Sequence, residues 1–148
     1  MEVTILVRYL HFIGVFTIVS CIVAQHLLIA PEVSRAKMKR LLVLDRIYGV
    51  SSIVVVMAGL SLWFWLGKPA EYYSKNWILY LKVGLFIIVG VLSIIPTRFF
   101  SKHHKGEPDD TVVIPGIIKK VIRIELLLMF LIPLLATLMA SGKGYFGE

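Results

Sequence analysis

The sequence predicts an all-α integral membrane protein, a four-helix bundle with both termini on the outer side. Three observations point there: 58% of the 148 residues are hydrophobic, the mean hydropathy is +0.86, and the apolar residues fall into long runs separated by short charged segments. An average soluble domain is about 45–50% apolar. A soluble chain this short would gather one core and cover it with charge; these runs instead suit lipid as the main solvent. About 20 residues cross the hydrocarbon layer. Helices are expected over approximately 3–30, 46–67, 76–100 and 112–141, in a single transmembrane domain.

The first run is broken only by Arg8, His11, Gln25 and His26, and Pro31 ends it. It starts Met-Glu without a basic leader and exceeds the usual 7–15-residue apolar stretch of a signal peptide, so a retained helix is expected. The second run closes on Trp63, Phe64 and Trp65, aromatic residues of the kind that collect at a membrane interface. The third begins at Trp77, passes Lys82 and exits at Pro96 and Arg98. The fourth opens with an amphipathic turn or two carrying Lys119, Lys120 and Arg123, then is apolar to Ala140.

Most Lys and Arg residues lie in the segment 31–46 and around the connector 101–111. By the positive-inside rule those segments face the cytoplasm, which puts both termini outside in a bacterial inner membrane. The formal charge of +7 is thereby a topology and lipid-contact signal, and no nucleic-acid partner is expected. The single cysteine, Cys21, excludes an intramolecular disulfide. No Gly-rich phosphate loop, nucleophile elbow or zinc spacing marks a soluble enzyme class.

Helical spacing places Thr4, Arg8, His11, Gly14, Ile18, Cys21 and Gln25 on one stripe of the first helix. The corresponding stripes are Asp45, Gly49, Ser52, Val56, Gly59 and Trp63 in the second helix, Lys82, Phe86, Gly90, Ser93 and Thr97 in the third, and Glu125, Met129, Ile132, Ala136 and Met139 in the fourth. Small residues in such stripes let helices approach closely in lipid. Depth then separates two polar stations. Arg8, His11, Tyr80 and Lys82 fall in the outer part; Gln25, His26, Asp45, Arg46, Thr97, Arg98, Arg123 and Glu125 fall in the inner part.

Arginines near helix ends snorkel to headgroups. Asp45 and Glu125 are expected to pair with neighbouring arginines, and His103-His104 to be a solvated pair. His11 and Lys82 remain: an ionisable group within a span costs about 2.5–3.5 kcal/mol on insertion scales, so it is usually turned inward and functional.

Three stretches read together as a family signature: Leu44-Asp45-Arg46-Ile47-Tyr48-Gly49, then Tyr72-Tyr73 with Asn76, then Lys82 through Leu85-Phe86 to Leu92-Ser93-Ile94-Ile95-Pro96-Thr97. With His11 and the Gln25-His26 pair they resemble an uncharacterised family of small bacterial four-helix membrane proteins, classed as a domain of unknown function. More distantly, His11 and Lys82 are similar to the helix-one histidine and helix-three lysine of the HemJ-type membrane protoporphyrinogen oxidases. That resemblance implies haem b or a porphyrin in the outer layer, with His11 as axial metal ligand and Lys82 as catalytic or electrostatic partner. The Pro-Arg signature of those oxidases stands here as Pro31-Glu32.

His11 and His26 are 15 residues apart, a rise of about 22 Å, so they cannot clasp one iron within a chain. A haem would be held by His11 alone, by a mixed pair with Met or Lys, or across a homodimer, or His11 and His26 would serve separate haems. Arg8, Tyr80 and Lys82 are the candidates for propionate or substrate contact. The leading expectation is thus a haem- or porphyrin-binding redox protein acting on a porphyrin or quinone. The alternatives are a proton, ion or anion transporter or channel working as an oligomer, with Gln25, Asp45, Arg123 and Glu125 as the inner layer, and a non-catalytic membrane assembly subunit.

Overall fold

A computed structural model describes residues 1–146. It is an all-α protein with four long apolar helices, consistent with a membrane-spanning bundle. Helix α1 runs Glu2–Leu28; Ile29 leaves the helical region and donates its N–H to Gln25 O, and Pro31, which has no N–H, follows. Helix α2 runs Arg35–Ser61 and continues as a single π turn, Leu62–Leu66. The short α3, Ala70–Ser74, precedes α4, Trp77–His103, and α5 runs Gly116–Ala140. At 1.5 Å per residue the shortest of the four long helices, with 25 residues, is about 37 Å long, enough for a hydrocarbon core of about 30 Å.

α2 begins at Arg35, well before the expected start near 46. The Ser34 Oγ accepts from Lys37 N at 3.2 Å and caps the helix. Met38, Leu41, Leu42 and Asp45 then recur at helical spacing and are buried, while Lys39 and Arg40 stay outside. The segment that reads as a basic loop is therefore an amphipathic helix start. At the other connector, residues expected to open the fourth helix form a strand instead. Glu32–Ser34 (β1) pairs antiparallel with Thr111–Val113 (β2), Val33 opposite Val112. Pro31 O accepts from Ile114 N at 2.8 Å and Asp110 O from Arg35 N at 2.8 Å, so the ladder extends past both ends of the strands. The Arg35 guanidinium also donates to His103 O.

α1 packs chiefly on α2, and α4 on α5; α1–α5 and α2–α4 contacts join the two pairs. The ribbon clasps the pairs at one end. At the opposite end Asn76 Nδ2 donates to Lys143 O at 2.9 Å and Trp77 N to Gly144 O at 3.1 Å, tying the C-terminal segment to the α3–α4 turn. The larger apolar cluster includes Ile18, Ile22, Met38, Leu41, Ile122 and Met129 near the ribbon end. A smaller one, Ile78, Leu79, Leu135 and Met139, lies at the other end. Large apolar side chains such as Phe16, Ile53, Ile87 and Leu127 point outward, as a lipid-facing surface requires.

Candidate functional site

The inner polar residues converge, with every long helix contributing. Asp45 of α2 and Glu125 of α5 are buried to 6% and 3% exposure, and Gln25 of α1 to 3%. From α4, the Thr97 hydroxyl donates to Asp45 Oδ1 at 3.0 Å. Glu125 and Asp45 are electrostatic neighbours. Tyr48, one turn beyond Asp45 on the same face of α2, is buried near Ser52, Ser93 and Glu125. Counting 1.5 Å per residue, Asp45 and Glu125 both stand about 14–15 Å into their helices from the ribbon end.

Polar satisfaction in this cluster is incomplete. Glu125 Oε1 and Gln25 Nε2 are buried with no hydrogen-bond partner. Gln25 comes close enough to Asp45 to interact with it, but the strict geometry of a hydrogen bond is not met. An orphaned buried polar atom costs about 1–3 kcal/mol. The backbone beside the cluster is loosened too: Pro96 is buried within α4 next to Thr97, and it leaves the carbonyl one turn earlier without its helical N–H.

The expected pairing of the two acids with arginines is not what the structure contains. Arg46 and Arg123 are both exposed, and Arg46 acts on Asp45 electrostatically without a salt bridge. Each follows or precedes its acid by one or two positions, and residues that close in sequence do not share a helix face. Arg123 thus stands at the depth of the inner layer but on the exposed side of α5, in electrostatic reach of His26. His26 is half-buried with Nε2 unpartnered, and its charged neighbours are Lys119 and Arg123.

At the outer station, His11 and Lys82 do come within electrostatic reach of each other, and both are half-buried. His11 Nδ1 lies 3.2 Å from Val55 O; a carbonyl only accepts, so Nδ1 carries the proton and Nε2 is the free nitrogen. The ring edge faces Gly59, where a Cβ would stand 3.4 Å from His11 Cε1. Arg8 is exposed, apart from this pair. Tyr80 is 50% exposed and its hydroxyl donates to Ser74 O at 2.7 Å, so it serves the α3–α4 turn. No group of three His, Cys, Asp or Glu residues gathers among the described residues. For haem, the imidazole orientation fits axial ligation through Nε2, the other nitrogen being fixed by a backbone carbonyl as ligating histidines commonly are.

Two buried residues that the sequence marks only as members of the signature stretches, with no place in either polar station, take defined positions here. Tyr48 stands three residues from Asp45 on the buried face of α2, and Asn76 stands before Trp77, where it is 1% exposed and Oδ1 caps α4 by accepting from Ile78 N at 2.9 Å.

A family model described as "Predicted membrane protein (DUF2214)" matches residues 3–144. The chain belongs to that family. Nothing in the match ties this DUF2214 protein to the HemJ-type oxidases. No curated protein and no solved structure matches it.

Proposed function

We propose that this membrane protein handles protons, with Asp45 and Glu125 as the acids that take up and release them inside the bundle. The observation that carries the proposal is the burial of two neighbouring carboxyls without a salt bridge to either among the described residues, Arg46 reaching Asp45 only electrostatically from an exposed position. Two like charges buried within electrostatic reach of each other are unfavourable unless one carboxyl holds a proton or a small cation offsets them. Thr97 holds Asp45 in place, the free Oε1 of Glu125 is an acceptor, and Tyr48, Ser52 and Ser93 line the way onward along α2 and α4. Intramembrane acids of this kind mark proton relays. The topology that accompanies this reading is a four-helix bundle in a bacterial inner membrane, with both termini outside and the β-ribbon end in the cytoplasm.

Reconstitution tests it. In vesicles carrying a pH-sensitive dye, the wild-type protein collapses an imposed proton gradient, and Asp45→Asn and Glu125→Gln each abolish the collapse. Equal rates in wild type and both variants overturn the proposal.

A second reading has its own observation. The His11 tautomer presents Nε2 as a ligand beside Lys82, which supports a haem or porphyrin site in the outer layer. Protein purified from haem-replete cells then has a Soret band that His11→Ala removes. A folded, colourless preparation excludes this reading and leaves the first intact.

A further inference from the structure

At the ribbon end, α4 and α5 flank an open groove of about 730 Å³ on the outer surface of the bundle. Its apolar wall includes Ile95, Phe99 and Ile117, and its polar wall includes Arg98, Ser101 and Lys102. We propose that this groove is a binding site for an anionic phospholipid, with the headgroup phosphate held by Arg98 and Lys102 and an acyl chain lying against Ile95, Phe99 and Ile117.

Charge and periodicity both favour that occupant. Arg98 and Lys102 are four residues apart, so they project from one face of α4 and can converge on one phosphate. Both are exposed, and no acidic residue lines the groove to neutralise them. Arg98 lies about 7–8 Å before the end of α4 at His103, at the depth where a snorkelling guanidinium meets headgroups. Ser101 adds a hydroxyl donor on the same side. Basic over apolar, open toward lipid, is the complement of a charged headgroup over its chain.

The other hairpin supplies an internal comparison. A groove of about 500 Å³ between α1 and α2 is lined by Lys39 and Arg40 over Leu28, Val43 and Leu44. It carries the same formal charge. Its two cations are consecutive, however, and so stand about 100° apart around the helix axis. They grip one phosphate less well than a pair spaced by one turn.

The test is native mass spectrometry of the full chain in detergent, titrated with phosphatidylglycerol, with phosphatidylcholine of the same chains, or with inorganic phosphate. One phosphatidylglycerol is retained per chain, and Arg98→Ala with Lys102→Ala weakens it about thirtyfold, the equivalent of roughly 1 kcal/mol per basic residue. Lys39→Ala with Arg40→Ala removes equal charge and leaves retention unchanged, as does the charge-preserving Arg98→Lys with Lys102→Arg. All variants keep the wild-type melting temperature, since the four side chains are exposed or at the surface. Equal weakening by the two alanine pairs, equal retention of phosphatidylcholine, or inorganic phosphate bound as tightly as the lipid overturns the proposal.

Discussion

The Thr97 hydroxyl donates to Asp45 Oδ1 at 3.0 Å and so joins α4 to α2 across the buried polar cluster. Interhelical hydrogen bonds in membranes are worth about 0.6 kcal/mol on average and up to about 1.7. A double-mutant cycle of Thr97→Val and Asp45→Asn, read by thermal unfolding in detergent, gives a coupling in that range. A coupling of zero would mean that the bond does not hold the helices together.

Glu125→Gln keeps the size and removes a group that can carry charge from the buried cluster beside Asp45. Because buried charges often cost more than they return, the variant melts at or above the wild-type temperature while losing proton transfer. Glu125→Lys places a cation beside Asp45, and it melts near wild type only if the two side chains meet. A marked loss of stability in Glu125→Gln would instead make Glu125 a structural residue.

The small-residue stripes divide into positions that matter and positions that do not. At Gly14 an added Cβ would stand 2.5 Å from Val55 Cγ2, so the stiff, β-branched Val55 side chain must turn or α1 and α2 must part. Gly14→Ala therefore destabilises by about 1–3 kcal/mol, the usual range for overpacking. At Gly90 an added Cβ would meet nothing within 4 Å, and Gly90→Ala is neutral or stabilising by up to about 1 kcal/mol from helix propensity. Paired melting curves check both.

Asn76 makes two bonds from one side chain, to Ile78 N and Lys143 O, each at 2.9 Å. Asn76→Ala loses a helix cap worth about 1 kcal/mol and releases the C-terminal segment. Faster amide exchange at Trp77 and Phe146, whose N–H groups donate to Gly144 O and Lys75 O, with the ribbon end unchanged, is the expected pattern.

The four apolar runs are legible in the sequence because length and composition alone identify a span. Asp45, Glu125 and Gln25 are legible as one layer because a polar group in a span has to turn inward. The phase of the apolar residues is not. Spacing puts Val56 on the inward stripe of α2, but it is 41% exposed, whereas Val55 and Ala58 are buried. In lipid an outward valine costs no more than an inward one, so hydrophobicity cannot phase a helix whose surroundings are equally apolar. The strands are hidden for a different reason. Each has three residues, and they pair across connectors far apart in sequence, which local patterning does not register. Depth alone groups Arg8 and Tyr80 with His11, and depth says nothing of direction around the helix axis.

The most direct measurement of the central claim is the infrared spectrum of the reconstituted protein as pH is varied. A proton on the buried pair gives a carbonyl stretch of a protonated carboxyl in a non-aqueous setting, which Glu125→Gln and Asp45→Asn each remove or shift and His11→Ala leaves in place. A wild-type spectrum without that band at any pH at which the protein remains folded would contradict the account.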